Sequence, residues 1–346
     1  MKYAAAVTLS TLASLFSSGI SYADNPLTVV AFGGASQEAQ RQVFFKPYEQ
    51  RSGIRISEQS YNGGLSDVKT MIENNNVRWD VIQMEDPDLI SGCKKGYFEP
   101  INWSRLGGQQ QFLPSAVSRC GVGHIVWSTV LSYDKQRFPA GPSGWSDFWD
   151  TQRFPGNRGM RQGPRGNLEY ALMADGVPPE KVYVYLETKT GQDRAFAKLD
   201  QLKPYIKWWK SGSQPPQWLE NGEVAMTTAY NGRITNANKA GNDFRIVWDE
   251  QMFSVDSWAI ISGSPNRSAA MDFIAFASSP EVSARYPTLM PYGVTNREAI
   301  KAIPPQIAAN LPTHPDNTVR VLREDSQFWI DHQEQLGKRF ERWLNL

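Results

Sequence analysis

Residues 27–32 read LTVVAF, a nearly unbroken apolar run that predicts a buried strand. The loop GGAS (33–36) follows, with Ser36 placed to cap a helix that turns Val43, Phe44 and Tyr48 inward. After a glycine turn, SGIRISEQSY (52–61) predicts a second strand. Strand, helix and strand in that order form a β-α-β unit, which implies a parallel sheet with a right-handed crossover.

The alternation continues along the chain. LSDVKTMIENNN is helical, WDVIQME is a strand, and DPDLISG opens a short helix. HIVWSTVLSYDKQRF is a β run long enough to carry the chain into a second domain. Helices dominate from GWSDFWD to DQLKPYI, and VAMTTAY, FRIVWDE and VDSWAIIS supply further strands, with an Asn231-Gly232 turn after Tyr230. A helical stretch (SAAMDFIAFASSPEVSARYP) and a helical tail from VRVLRED to the end complete the pattern. Alternating strands and helices over two domain lengths define an α/β protein without internal repeats. In open α/β sheets ligands sit beyond the carboxyl ends of strands. The polar residues to inspect are therefore those just after strands: Ser36, Glu85 to Asp88, Trp127 and Ser128, Asn231 to Arg233, Asp256 and Tyr292.

Composition narrows the class. Residues 1–23 combine Lys2, a short apolar stretch and the sequence SYAD, the pattern of a secretory signal peptide cleaved after Ala23. A formal net charge of +1 argues against nucleic acid, which needs a basic face. Cys93 and Cys120 are the two cysteines. In an oxidising compartment they suit one bridge, with two separate buried thiols as the competing reading. Twelve tryptophans suit core and domain-seam anchors, and also a cavity that holds an organic cation or an alkyl chain.

Taken in order, LTVVAFGG, KPYEQRSGIRI, WDVIQM, AYNGRI, FSVDSWAIISGSPNRSAAMDFIAF and YGVTN resemble the extracellular solute-binding proteins of ABC importers, the spermidine/putrescine-binding class in particular. The likeness covers essentially the whole mature chain. It implies a type II two-lobed periplasmic binding protein fold, each lobe a mixed, mainly parallel sheet flanked by helices, joined by a two-strand hinge. The expected lobes are 24–130 with 252–295, and 131–251 with 296–346. Ligand is bound without conversion and no cofactor is implied. Delivery runs to an inner-membrane permease with separate ATPase subunits, from a monomeric periplasmic receptor.

The resemblance places Asp256 on the family's principal amine-binding aspartate, and Tyr292 and Tyr230 on pocket aromatics. Two departures change the expected ligand. The family's WNGD-like segment reads YNGR here, so Arg233 replaces an acid, and RQGPRGN (161–167) stands where polyamine receptors carry further carboxylates. Base gained at one end and Asp256 kept at the other suit a zwitterion. Arginine offers a planar fork for a carboxylate. Asp256, with Glu85 or Asp86 as a second acceptor, would take the ammonium, while Trp127 and Tyr230 enclose the methylenes. Short ω-amino acids such as 4-aminobutyrate (GABA) or 5-aminovalerate separate those charges by roughly 5–7 Å. The likeness thus narrows to GABA-type receptors, with a polyamine as the alternative ligand. Structural readings compete at each position. Arg233 could pair with Asp243 or Asp249, and Asp256 could cap a helix or bridge lobes. Glu85 or Asp86 could be only an N-cap, and Trp127 a core or hinge residue.

An enzyme reading rests on Ser66-x-x-Lys69 and Lys189-Thr190-Gly191, two elements of penicillin-recognising serine hydrolases. The middle element of that set is missing, and the KTG segment reads as a loop entering a helix instead of a strand. His124, His314 and His332 share no metal-ligand spacing.

Overall fold

The computed structural model describes residues 26–345. The signal-peptide expectation for residues 1–23 lies outside them. Among the described residues no helix is long and apolar enough to cross a membrane.

Ten strands form one sheet: β1 (Leu27–Ala31), β2 (Ile56–Ser60), β3 (Val81–Glu85), β4 (Gly121–Asp134), β5 (Arg158–Arg161), β6 (Ile206–Trp209), β7 (Met226–Tyr230), β8 (Phe244–Ile260), β9 (Gly293–Val294) and β10 (Val321–Arg323). Their order is β2-β1-β3-β8-β4-β7-β5-β6, with β9 on β4 and β10 on β8. β1 pairs in parallel with β2 and β3, the β-α-β unit expected from the first apolar run. At the other end β5 pairs in parallel with β6 and β7. Two long antiparallel strands, β4 and β8, join these parallel ends.

Each long strand feeds two hydrophobic cores. Val122 and Ile125 of β4, with Trp258 and Ile260 of β8, pack with Leu27, Val29, Phe44 and Phe273. Leu131 and Tyr133 of β4 and Met252 of β8 pack with Trp145, Leu168, Leu199 and Trp329. The changeover lies between Trp127 and Leu131 on β4 and between Met252 and Asp256 on β8. There the ladder slips register between Thr129 and Leu131. Just before it, Glu250 adopts a left-handed backbone, φ 57°, a geometry that costs energy for a residue with a Cβ. Two lobes joined by two crossing strands is the architecture the resemblance implied.

Some local expectations change. FRIVWDE and VDSWAIIS are one seventeen-residue strand, because Glu250 bends the chain without ending the ladder. Asn231-Gly232 is no hairpin turn. It starts the helix Asn231–Lys239, with Tyr230 in extended geometry before it. Gly33, not Ser36, occupies the N-cap position of the helix starting at Gly34, while Val43, Phe44 and Tyr48 are buried as expected. The stretch 296–313, expected with the second lobe, packs on the first. Ala299, Ile303 and Leu311 cluster with Val294 and Ala284, and Leu113 N–H donates to the Thr295 carbonyl at 2.9 Å. The tail helix Ser326–Leu344 buries Phe328, Trp329, Leu336, Phe340 and Trp343 on the second core.

Cys93 and Cys120 form a disulfide that ties the helix Asp86–Lys94 to the start of β4. Lys189-Thr190-Gly191 opens the helix Lys189–Leu202, capped by Thr188, so the strand that a serine hydrolase needs at this element is absent there.

Candidate ligand-binding cleft

A cavity of about 510 Å³ opens between the two cores. Ser36, Glu85, Trp127, Tyr230, Arg233, Asp256 and Tyr292 all line it, as do Arg161 and Arg165 of the basic RQGPRGN segment, and Tyr61 and Gln83, which the sequence reading did not single out.

Arg161 ends β5, and Lys210 and Arg233 follow the carboxyl ends of β6 and β7; the three strands are adjacent, in the order β7-β5-β6. This is the position where parallel sheets present ligand-binding loops. Arg233 sits in the first turn of its helix, which Asn231 fixes. The Asn231 side chain accepts from Ser128 N–H at 3.0 Å and donates to the Pro291 carbonyl at 2.7 Å. From there the guanidinium reaches across the cleft: a Cβ at Gly34 would stand 3.7 Å from its Nη2. Arg233 Nε is buried without a hydrogen-bond partner among the described residues. The two acids that could have neutralised it are engaged elsewhere, Asp243 with Arg245 and Asp249 with Arg320.

Asp256 comes from the opposite side. β8 pairs with β3 so that Asp256 faces Glu85 in register. One carboxylate oxygen accepts the Trp127 indole N–H at 2.7 Å and the other the Gln83 amide at 2.6 Å. Gln83 is itself held by Gln40 at 2.8 Å. Burial, with the nearby Glu85 charge, holds the Asp256 carboxyl well above the usual carboxylate range. Among the described residues no cation pairs with it, and burial of an acid without a cation disfavours its ionised form.

Strand alternation explains which neighbours join the cleft. Gln83 and Glu85 share one face of β3, and Asp86 opens the next helix. Asp86 lies beside Arg323 and Glu324 in a separate pocket, where burial pushes its carboxyl up to about 7, and it does not line the cavity. Ser128 alternates with Trp127 and is fully buried. Its hydroxyl donates to the Met252 carbonyl at 2.9 Å, so it holds the crossing strands together and does not face the cleft. Ser36 stays at the wall, hydrogen-bonded to the Tyr286 hydroxyl at 2.8 Å.

Glu85 differs most from expectation. It precedes the helix Asp86–Lys94 but makes no cap with its side chain. Instead it accepts from Arg165 Nη1 at 2.9 Å, and Arg165 Nε pairs with Glu324. Burial opposes the Arg165 charge, yet these two carboxylates hold it well above the ordinary range. The loop bearing Arg165 is anchored by buried Glu169, which accepts from Gly166 N–H at 2.8 Å, Tyr183 at 3.0 Å and the Trp329 indole at 2.8 Å.

Aromatic rings close the space between the charged ends. Trp127 and Tyr230 meet edge to face at 5.3 Å, and Phe32 stacks on Tyr61 at 5.1 Å. Tyr292 lies so close to Gly232 that a Cβ there would stand 2.7 Å from its ring. Burial pushes the Tyr292 phenol up, so it stays neutral beside Arg233.

Two lobes, two crossing strands and a charged cleft between them define a binding protein that closes around a small solute. Residues 44–313 match the family of bacterial extracellular solute-binding proteins, and the chain belongs to it. It is 43% identical over 335 residues to the gamma-aminobutyric acid-binding protein of Pseudomonas aeruginosa, covering 97% of this chain and 95% of that one. Among solved structures it is similar to the Atu4243-GABA receptor, with a TM-score of 0.84 and 31% identity over 92% of this chain and 98% of that one. The periplasmic binding protein MotA from A. tumefaciens B6, in complex with glucopine, gives a TM-score of 0.84 and 28% identity over 92% of this chain and 100% of that one.

Proposed function

We propose that the protein is the periplasmic receptor of an ABC importer and captures a short ω-amino acid, GABA or 5-aminovalerate, between its lobes. Arg233 takes the carboxylate in a two-pronged pair, Asp256 takes the ammonium, and Trp127, Tyr230 and Tyr292 enclose the methylenes. Among the described residues the lobes are 26–130 with 252–313, and 131–251 with 314–345. Ligand bridges them and shifts an open–closed equilibrium toward closed, the form handed to the permease and its ATPase subunits. The observation that carries this reading is that Arg233, free of any acid partner among the described residues, lines the same cavity as the buried Asp256. The relatives named for GABA support the choice of ligand.

Calorimetric titration of the purified protein with GABA, 5-aminovalerate, putrescine and spermidine tests it. One of the two amino acids binds most tightly on this reading. A preference for putrescine or spermidine discards it.

A further inference from the structure

Arg165 belongs to the second core by chain position, between β5 and the helix Asn167–Ala174, whereas Glu85 ends β3 of the first. Their ion pair therefore spans the cleft, with both side chains only partly accessible, 20% and 25%. Three acids line the cavity: Asp88, which accepts the Gly64 N–H at 2.9 Å, and Glu85 and Asp256, which stand in register across one strand pair and could meet ligand amines. A protein cation already occupies Glu85.

We propose, on the amino-acid reading above, that Arg165 is a built-in second cation that sets the ligand's charge. Its guanidinium fills, from within the protein, the place where a second ligand ammonium would pair with Glu85. With Asp88 held by the Gly64 amide, Asp256 is then the acid left to the ligand, so the cleft accepts monoamines and refuses diamines. A diamine would have to displace Arg165 from Glu85 and also leave Glu324 without its partner. It would meanwhile leave Arg233 without a carboxylate. Rejection of the wrong ligand comes from an opposing charge as well as from a missing contact.

The test compares GABA and putrescine by calorimetry on the full chain. Removing Arg165 alone would strand the buried Glu324, so Arg165→Gln is combined with Glu324→Gln. In that folded double variant the putrescine-to-GABA affinity ratio rises by about tenfold or more relative to the unmodified protein. Adding Glu85→Gln takes the gain away. An unchanged ratio overturns the proposal, and so does a gain that survives without Glu85. Loss of GABA binding with no gain for putrescine also overturns it, because Arg165 would then hold the ligand carboxylate itself. Glu85→Gln by itself is a second measurement that does not depend on the double variant folding. There the putrescine-to-GABA ratio does not rise, whereas a rise of about tenfold or more would show that a second ligand amine does not need Glu85 and overturns the proposal. The ligand preference of the unmodified protein tests the amino-acid reading separately from any of these outcomes.

Discussion

The indole N–H of Trp127 donates to an Asp256 oxygen at 2.7 Å, a diagonal link across the crossing strands β4 and β8, where Trp127 faces Ser254 and Asp256 faces Ile125. The bond aims the carboxylate and compensates part of its burial. Trp127→Phe keeps an aromatic wall and deletes the donor. A hydrogen bond to a charged group contributes about 1.5–3 kcal/mol. GABA affinity should therefore fall by about tenfold or more in calorimetry. Unchanged affinity would show that Gln83 alone is sufficient to hold Asp256.

Arg233 makes no ion pair among the described residues, so removing it should leave the fold intact while emptying the site of its anion partner. Arg233→Ala should abolish amino-acid binding and shift the melting midpoint by no more than about 2 °C. Arg233→Lys keeps the charge and loses the planar fork, so it should bind with intermediate affinity. Wild-type affinity in the alanine variant would remove Arg233 from the site.

Asp256 gives ligand binding a sign in pH. Burial holds its carboxyl well above the ordinary range in the empty cleft. An ammonium needs the ionised form, so binding should release a proton wherever the free protein holds one. Affinity should then rise with pH until the free carboxyl is ionised, and weaken as acid is added. Titrations in buffers of different ionisation enthalpy count the released proton directly. Asp256→Asn should abolish the release along with most of the binding.

The legible parts of the fold were those with apolar runs, β1, β3, β4, β7 and β8, together with the polar β2, which follows a glycine turn in the first β-α-β unit. β5 has none, since its sequence Arg-Gly-Met-Arg buries an arginine. The Arg158 guanidinium is satisfied by the carbonyls of Phe148, Gly156 and Phe154, partners that appear only after folding. The site shows the same division. Arg233 and Asp256 stand out because they follow or end strand patterns beside recognisable neighbours. Ser128 was misplaced by one residue of strand phase, which reverses the face a side chain occupies, and Asp86 because the chain turns from β3 into a helix at that residue. The Glu85–Arg165 pair joins residues 80 positions apart, a contact that no local spacing reveals.

The disulfide closes a separation of 27 residues between the helix Asp86–Lys94 and β4. In the chain-entropy model such a loop contributes about 3.5 kcal/mol by restricting the unfolded chain. Cys93→Ser with Cys120→Ser should lower unfolding stability by about that amount in urea titration. Ligand selectivity should persist, because neither cysteine lines the cavity. A change in the GABA-to-putrescine ratio would tie the bridge to the site.

His124 supplies the acid limit of stability. It sits on β4, stacked on Trp258 at 4.3 Å and flanked by Phe44 and Tyr286. Both ring nitrogens are buried without a hydrogen-bond partner among the described residues. Burial pushes its pKa down to about 3 from an ordinary value of 6.5. The unfolded chain therefore binds a proton that the fold refuses. The contribution is intact above pH 6.5 and is lost as pH falls toward 3. At about pH 4.5 the loss is about 2.7 kcal/mol, two pH units below the ordinary value at about 1.4 kcal/mol each. His124→Phe keeps a stacked ring and removes the titration. Its stability should match the unmodified protein within about 1 kcal/mol at neutral pH, because both rings are apolar neighbours of Trp258. Near pH 4.5 it should exceed the unmodified protein by about 2–3 kcal/mol in urea unfolding. Parallel stability curves for the two proteins across this range would show that His124 takes up a proton without unfolding, and would move the source of acid sensitivity elsewhere in the chain.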